Sequence, residues 1–161
     1  MRPADFQWNA APGGLTLVEG EVHVFCAPLD VPRKRLQELV QPLSDDEWQR
    51  AGRFHFERDR LRFLAGRGTL REILSLLLQR QPASFVFSGG KCGKPKLTAP
   101  ADVHSFHFNL AHSGSIAVFA AATHELGVDL ERIRVLDEAD QIVSRLFSPR
   151  EQSSLLAVPA G

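Results

Sequence analysis

The sequence predicts an α+β domain in which helices pack on a mostly antiparallel sheet. Apolar residues alternate with period two in several short runs, a pattern typical of strands with one buried face. A long segment between the first of these runs and the later ones is periodic like a helix, and turn signals separate the later runs by only a few residues. Helices grouped before and after a succession of strands fit the α+β class.

The first strand is predicted in EVHVFCAPL, where Val22, Val24 and Cys26 alternate and a proline closes the run. A short helix is predicted over residues 32–40, with proline at its opening position. These two elements should precede the main helical segment.

The main helical segment starts at SDDE, a capping box in which Ser44 and Glu47 satisfy each other's backbone amides. The helical pattern continues to about Gln81, and we expect a break near Gly66 or Gly68. Its second half, LREILSLLL, is apolar on most sides and should lie in the core.

Further strands are predicted after the helical segment, at residues 84–88, 106–110 and 115–123. GGKCGKPKL follows the first of them as a turn-rich loop, and AHSG joins the other two. SIAVFAAAT is apolar on both faces, which predicts a central place in the sheet. LGVDLE, residues 126–131, is predicted as one more strand, followed by a helix around residues 137–147.

A second capping box, SPRE, is predicted where Ser148 and Glu151 flank a proline at the first helical position. Glu151 could instead act directly in a site, although its capping role explains it adequately.

Composition limits the classes of function. The chain has 161 residues, of which 43% are apolar, and its formal net charge is zero, so bulk charge points to neither nucleic acid nor membrane. Two cysteines, Cys26 and Cys92, make no disulfide framework and fit a reducing compartment. The amino-terminal residues contain no apolar stretch typical of a signal peptide. We therefore expect a soluble, cytoplasmic protein.

Two carboxylates, Asp129 and Glu131, lie two residues apart in the last predicted strand. Residues i and i+2 of a strand share a face at a spacing of roughly 6.5–7 Å, so these side chains could bind one hard cation. Mg²⁺ typically accepts one or two carboxylates together with phosphate oxygens and water. From spacing alone, a solvated face with Arg132 or Arg134 as ion-pair partner is the simpler interpretation.

Two loops offer groups that bind anions. His112 is expected in the turn of NLAHSG, where an imidazole, a hydroxyl and backbone amides could meet a phosphate; an ordinary hairpin loop explains the same residues. Lys94 lies in GKPK, which has the composition of a phosphate-binding loop but lacks P-loop spacing.

The helical segment contains seven arginines interleaved with aromatic and apolar residues, and guanidinium groups suit phosphate contacts. For most of them a solvated amphipathic face is the simpler interpretation. A basic-helix nucleic-acid binder is a further alternative, which the neutral net charge weakens. The arginines are Arg50, Arg53, Arg58, Arg60, Arg62, Arg67 and Arg71.

In combination these motifs closely resemble a known family. RFHFERDRLRFLAGRGTLREIL, GKPKL, FHFNLAHSG, GVDLERI and RLFSPRE occur in the order found in the 4′-phosphopantetheinyl transferase superfamily, in its longer, Sfp-like subfamily. The resemblance covers roughly residues 44–156, and FNLAHSG followed by GVDLE is its most specific part.

The resemblance implies an enzyme that transfers the 4′-phosphopantetheine arm of coenzyme A to a serine of an apo acyl or peptidyl carrier protein, with Mg²⁺ required. By family position, Asp129 and Glu131 hold Mg²⁺ and, with His112, are the expected catalytic residues. Lys94, Asn109 and His112 match positions that contact coenzyme A. Three arginines lie in the helical segment that the family places near the 3′-phosphate of coenzyme A, and for them the match is less direct: Arg50, Arg53 and Arg62.

The sequence departs from the family in two places. Ala111 stands where the family usually has serine, which removes one hydroxyl from the loop. The family's WxxKEA segment, whose glutamate supplies a third metal ligand, does not occur in this chain, so we expect truncation before it. A catalytically inactive module that binds coenzyme A and Mg²⁺ is therefore the alternative function.

The longer subfamily folds as two similar α+β halves, which implies a first half over residues 1–125 and the start of a second over residues 126–161. A truncated second half would leave apolar surface of the first half bare. We hypothesise that two copies of the chain associate through that surface.

Overall fold

A computed structural model describes four segments of the chain: residues 15–89, 95–99, 106–133 and 139–158. The chain divides into two compact units, Met1–Glu131 and Arg132–Gly161. The boundary predicted after residue 125 is a different one: it separates the two similar halves of a duplicated fold. It stays a prediction.

The described residues of the first unit form five strands, three α-helices and one turn of 3₁₀-helix. In chain order they are β1 (Val22–Pro28), α1 (Arg33–Leu39), α2 (Asp45–Ala51), α3 (Glu57–Leu78), the 3₁₀ turn (Pro82–Ser84), β2 (Val86–Gly89), β3 (Pro95–Ala99), β4 (His107–Ser113) and β5 (Ile116–Ala122). Helices combined with antiparallel sheets confirm the predicted α+β class.

The larger sheet has the strand order β1-β5-β4, with both pairs antiparallel. Phe119 of β5 pairs with Phe25 on one side and with Leu110 on the other. Residues 117–122 of β5 are all buried, which confirms its predicted central place. Gly114, at φ +60°, begins the tight turn between β4 and β5, and glycine adopts this conformation without steric cost.

The core of the first unit lies between α3 and the face of the sheet that carries Phe108 and Phe119. Leu70 and Leu74, one turn apart on α3, pack with these rings and with Phe85. The prediction that LREILSLLL belongs to the core is confirmed, because Leu70, Leu74 and Leu77 are buried.

The predicted break of the helical segment at Gly66 or Gly68 is wrong, since α3 continues through both glycines. The break lies earlier, over residues 52–56, between α2 and α3. Gly68 instead permits close packing of α1, because a Cβ there would lie 2.3 Å from the backbone oxygen of Leu39. Glycine serves here as a contact surface between helices and not as a helix terminator.

The segment GKPKL is not only a turn-rich loop, because its end forms β3, which pairs with β2 in a second, two-stranded sheet. His112 lies within β4 and not in the turn, since β4 continues to Ser113 before the chain reverses at Gly114.

The predicted strand at 126–131 is wrong: residues 125–133 form neither helix nor strand. Burial nevertheless alternates along this segment as predicted: Val128 and Leu130 are half-buried, and Asp129 and Glu131 are exposed. Alternation reports which side of an extended chain is covered, whereas a strand also needs a hydrogen-bonding neighbour. In the larger sheet, β5 already has β1 and β4 on its two sides.

Within residues 139–158, the second unit forms two helices, α4 (Ala139–Leu146) and α5 (Pro149–Leu156). The predicted capping box at the start of α5 is confirmed: Glu151 N donates to Ser148 Oγ, and a Glu151 carboxylate oxygen accepts from Ser148 N at 2.8 Å. The Ser148 hydroxyl donates to the Glu151 carboxylate at 2.7 Å, and it and the Ser148 backbone amide lower the pKa of Glu151, which supports the capping role over a direct site role.

Candidate functional site

A cleft of about 710 Å³ lies in the first unit, between α2 and α3 on one side and the end of the larger sheet on the other. Clefts of roughly 300–1,000 Å³ are typical of small-molecule and cofactor sites. Three positively charged side chains line it, Arg50 from α2 and Arg62 and Arg67 from α3, and β4 adds Asn109 and His112. Of the six coenzyme A contacts predicted from sequence, four therefore line a single cleft.

The α3 side of the cleft follows from helical spacing. Asp59, Arg62, Phe63, Gly66 and Arg67 recur at intervals of three and four residues, which places them on one face of the helix. The same turns bury Leu64 and Leu70 on other sides, so α3 is held by the core while this face points into the cleft. The floor of the cleft is therefore rigid.

Arg67 is the most deeply placed cation of the cleft, with only 9% of its surface exposed. Its Nη1 makes no hydrogen bond within the described part of the chain. Burial lowers the pKa of Arg67, because the charged guanidinium loses its hydration. A buried cation with an open donor is costly unless an anion meets it, so this position favours an anionic ligand.

Aromatic rings hold the guanidinium groups in place. The guanidinium carbon of Arg67 lies 5.5 Å from the centroid of Phe63 and 5.6 Å from that of Phe87, and that of Arg50 lies 5.6 Å from Phe63. Such contacts contribute about 0.5–2 kcal/mol each, depending on solvent exposure. Phe63 thus orients one arginine from each of two helices.

A buried ion pair fixes α2 against α3. Arg71 donates from Nε and Nη2 to the same oxygen of Glu47, at 3.0 and 2.8 Å, and this oxygen also accepts from the backbone of Ser44 at 2.9 Å. Arg71 Nη1 donates further to the carbonyls of Pro82 and Phe85. The predicted capping box at Ser44 and Glu47 is confirmed, and its glutamate also neutralises an arginine of α3.

Arg62 has a partner at the edge of the cleft. Its Nε donates to Asp30 Oδ1 at 2.7 Å and its Nη2 donates to Asp30 Oδ2 at 2.6 Å. The hydrogen bonds from Arg62 hold the pKa of Asp30 below its ordinary value. Arg62 therefore reaches the cleft as a guanidinium already held on one edge.

The segment with the two predicted metal ligands passes near Asn109. A Cβ built on Gly127 would lie 3.7 Å from Asn109 Nδ2, so the chain runs close to a residue of the cleft. Asp129 and Glu131 are exposed. They are not among the residues that line the cleft itself.

The donor set at Asp129 and Glu131 fits Mg²⁺ in part. Asp129 Oδ1 accepts from the backbone of Leu130 at 2.9 Å, which orients that carboxylate. Among the described residues no three metal-binding side chains come together, so these two acids form an open pair. Mg²⁺ commonly binds one or two carboxylates and completes its shell with water and phosphate, and an open pair suits this habit.

Of the other two predicted contacts, the structure describes one. Arg53 is exposed in the break between α2 and α3, where its backbone amide donates to Arg50 O, and it does not line the cleft. Lys94 lies outside the described residues.

Arg67 is not among the contacts predicted from the sequence, because its charge placed it with the arginines of a solvated face. Its spacing carried a usable signal: Phe63, Arg67 and Arg71 follow each other at intervals of four on a helix whose neighbouring positions are apolar. An arginine in line with the buried side of a helix should itself be buried.

None of the helices in the described segments combines the length and the apolar character that crossing a membrane would require.

Comparison with known proteins identifies the family. The family model described as "4'-phosphopantetheinyl transferase, N-terminal" matches residues 31–124, more than half of the chain. The chain is 40% identical to the 4'-phosphopantetheinyl transferase HetI of Nostoc sp. over 94% of its length and 65% of the relative's.

Two Bacillus proteins are also similar. The 4'-phosphopantetheinyl transferase psf-1 of Bacillus pumilus is 34% identical over 80% of this chain and 53% of its own. The 4'-phosphopantetheinyl transferase Sfp of Bacillus subtilis is 30% identical over 75% and 52%, respectively. The chain thus spans between about half and two thirds of the length of these relatives. With a family model over most of the first unit and a cleft lined by buried arginine, the chain belongs to the 4′-phosphopantetheinyl transferase family.

Proposed function

We propose that the chain binds coenzyme A in the cleft and transfers its 4′-phosphopantetheine arm to a serine of an apo acyl or peptidyl carrier protein. The observation that carries the proposal is the convergence of Arg50, Arg62, Arg67 and His112 on one cleft of cofactor size. Coenzyme A carries a diphosphate and a 3′-phosphate, and guanidinium groups bind phosphate through paired hydrogen bonds. The names of the relatives support the same reaction.

The proposed reaction is a phosphoryl transfer. The serine oxygen attacks the phosphorus next to pantetheine, a new P–O bond forms, and the P–O bond of the diphosphate breaks. The departing 3′,5′-ADP takes the electron pair of that bond, and the serine hydroxyl gives its proton to a base, for which His112 is the candidate in the cleft. Charge on the phosphate oxygens must be neutralised throughout, so positioned cations provide most of the stabilisation.

The residues of the cleft would supply that positioning. Arg67 offers an open N–H donor from a buried guanidinium, and Arg50, held on the same ring of Phe63, adds a second cation. Neither has to be ordered when the ligand binds, because stacking already restricts both side chains. His112 and Asn109 approach from β4, on the opposite side of the cleft from α3.

Mg²⁺ dependence is part of the proposal, with Asp129 and Glu131 as the residues that would hold the ion. When bound, Mg²⁺ would neutralise charge on the diphosphate. Two exposed carboxylates two residues apart, one of them oriented by a backbone hydrogen bond, support this assignment. That Lys94 contacts coenzyme A, as the family resemblance implies, also remains a proposal.

One assay tests the function. The full chain is incubated with coenzyme A, Mg²⁺ and an apo carrier protein, and the carrier is analysed by intact mass spectrometry. A gain equal to one phosphopantetheine arm, absent when the acceptor serine of the carrier is replaced by alanine, is the expected result. No gain despite measurable binding of coenzyme A selects the alternative, an inactive binding module.

The alternative has one observation in its favour. The described residues bring together no group of three acidic or imidazole side chains that could hold a metal, which leaves two carboxylates as the expected ligands. Addition of Mn²⁺ in place of Mg²⁺, which binds similar oxygen ligands, should not restore transfer if the chain is such a module.

Self-association remains a further proposal, with a second copy of the chain as the partner. Within the described residues β1 is an edge strand of the larger sheet, and its Val22 and Val24 are half-exposed. Exposed apolar edge strands pair readily with another chain. Sedimentation equilibrium at tens of micromolar should detect a dimer, and Val24→Lys should return it to monomer; a monomeric unmodified chain would reject the proposal.

We also propose a cytoplasmic location, which the scarcity of cysteine supports. Cys26 is unpaired and partly buried, and burial raises the pKa of its thiol. A protonated thiol is a poor nucleophile, so Cys26 should persist as a reduced, structural side chain. Recovery of the native protein in the soluble fraction of cells treated to release only periplasmic contents would contradict this location.

A further inference from the structure

Asp30, the ion-pair partner of Arg62, has no role in the function described so far. The guanidinium of Arg62 contacts both carboxylate oxygens of Asp30, with Nε–Oδ1 and Nη2–Oδ2 distances of 2.7 and 2.6 Å. The side chain of Arg62 is 19% exposed and that of Asp30 is 55% exposed. This bidentate geometry fixes the plane of the guanidinium, which a single hydrogen bond would not do.

The backbone places Asp30 firmly. It follows directly on Leu29, which is buried in the core and lines the cleft. The amide of Leu29 donates to the carbonyl of Ser115 at 2.7 Å, so the end of β1 is tied to the turn between β4 and β5. Asp30 therefore reaches Arg62 of α3 from the opposite side of the cleft, and the ion pair links the two sides.

The donors of Arg62 are only partly used. A guanidinium carries five N–H groups, and the two bonds to Asp30 are the hydrogen bonds that Arg62 makes among the described residues. Nη1 and the second hydrogen of Nη2 remain, on a side chain that lines the cleft. Asp30 thus occupies one edge of the Arg62 guanidinium and leaves the other edge for a ligand.

We propose that Asp30 is a positioning residue, which orients Arg62 so that its remaining N–H groups meet a phosphate group of coenzyme A. The inference rests on the proposed function, because it takes coenzyme A as the ligand of the cleft. Asp30 touches Arg62 and not the ligand, so it acts through Arg62.

Two effects of Asp30 oppose each other. Its negative charge repels a phosphate, whereas its hydrogen bonds remove the rotational freedom that Arg62 would otherwise lose when the ligand binds. Asp30 is more than half exposed, so water and salt screen the repulsion, but they do not screen the directional constraint. The positioning effect should therefore prevail, and loss of the carboxylate should weaken binding even though it removes a negative charge.

Asp59 provides a matched control. It lines the same cleft and its charge also acts on Arg62, but its hydrogen bond goes from Arg58 and not from Arg62. Replacement of Asp59 by asparagine removes one negative charge that acts on Arg62 without freeing Arg62 from Asp30. If charge alone mattered, Asp30→Asn and Asp59→Asn would have the same effect.

The test is calorimetric titration of coenzyme A into the full chain in the presence of Mg²⁺, at two salt concentrations. Asp30→Asn should weaken binding by about fivefold, as expected when one side chain must be ordered by the ligand itself. Asp59→Asn should not weaken binding. In an Arg62→Ala background, Asp30→Asn should cause no further loss, because the residue through which it acts is gone. Asp30→Ser also removes the carboxylate that pairs with Arg62. It serves as the second variant if asparagine alters the backbone after β1.

Three results would overturn the inference. Tighter binding by Asp30→Asn would mean that Asp30 competes with the ligand for Arg62. An equal loss with and without Arg62 would place the action of Asp30 elsewhere. No binding of coenzyme A by the unmodified chain would reject the proposed function together with the inference, whereas the first two results would leave the proposed function intact.

Discussion

Arg67 Nε lies 3.9 Å from Glu47 Oε1, and the pair makes no hydrogen bond across that gap. The other oxygen of Glu47 is fully engaged by Arg71 and Ser44. One buried carboxylate therefore faces two buried guanidinium groups, and positive charge is in excess around Arg67, which also lines the cleft. A phosphate group of the ligand would supply the missing negative charge and an acceptor for the open donor of Arg67.

Glu47→Gln should destabilise the chain strongly. It leaves Arg71 buried without its carboxylate, and loss of one partner of a buried ion pair costs about 3–5 kcal/mol. The free energy of unfolding from urea titration measures the loss. Asp46→Asn, one residue earlier and exposed, is the control and should change it by less than about 1 kcal/mol. Equal effects of both substitutions would show that the ion pair is not a main support of α2.

Gly68→Ala should destabilise the packing of α1 on α3. The added Cβ would lie 2.3 Å from Leu39 O and 2.8 Å from Leu39 C, and backbone atoms cannot move aside as a side chain can. We expect a loss of about 1–3 kcal/mol in the free energy of unfolding, as is typical of overpacking. At Gly66 the nearest atom is a side-chain carbon of Leu29 at 3.4 Å, so Gly66→Ala should be neutral or stabilising. A milder effect at Gly68 than at Gly66 would contradict this packing.

The pKa of Asp30 should rise when Arg62 is replaced by alanine, since the hydrogen bonds of Arg62 are the main cause of its depression. A carboxyl whose pKa is lower in the folded state adds stability above its unfolded pKa, and this contribution is lost as pH falls through the folded pKa. The unmodified chain should therefore lose more stability than Arg62→Ala over that acidic range. Titration of the carboxyl carbon by NMR checks the shift directly; an unchanged pKa in Arg62→Ala would contradict the ion pair.

Asp129→Asn should remove the Mg²⁺ dependence of coenzyme A binding. In the unmodified chain, chelation of Mg²⁺ by EDTA should weaken binding, whereas in the variant EDTA should change little, because the carboxylate that holds the ion is gone. Glu125→Gln is the control, an exposed carboxylate in the same segment. If Asp129→Asn retains the full response to Mg²⁺, the metal assignment is wrong.

Local sequence rules predicted the elements whose signals are themselves local. Both capping boxes and the central place of β5 depend on residues within a few positions of each other, and the structure confirms them. The role of Gly68 was not predictable in this way, because it depends on close approach of Leu39 from another helix. The strand predicted at 126–131 failed for a related reason, since a ladder needs a neighbour that the segment's own pattern does not reveal.

The candidate site, too, was predicted only in part from the sequence. Motif order indicated Arg50, Arg62, Asn109 and His112, and the structure brings these four to one cleft. Arg67 escaped notice because net charge and periodicity count an arginine as a surface residue, whereas its burial results from the rings of Phe63 and Phe87. The partner of Arg62, more than thirty residues away in the sequence, likewise became evident only from the fold.

The most direct measurement is titration of coenzyme A into the unmodified chain and into Arg67→Met. The unmodified chain should bind one equivalent, and Arg67→Met should bind at least about tenfold more weakly, because one charge-assisted hydrogen bond contributes roughly 1.5–3 kcal/mol. Its stability should be unchanged or higher, since methionine fills the space without a buried charge. Arg58→Met, which alters an exposed arginine outside the cleft, should bind like the unmodified chain. Equal affinities of Arg67→Met and the unmodified chain would contradict the assignment of this cleft to coenzyme A.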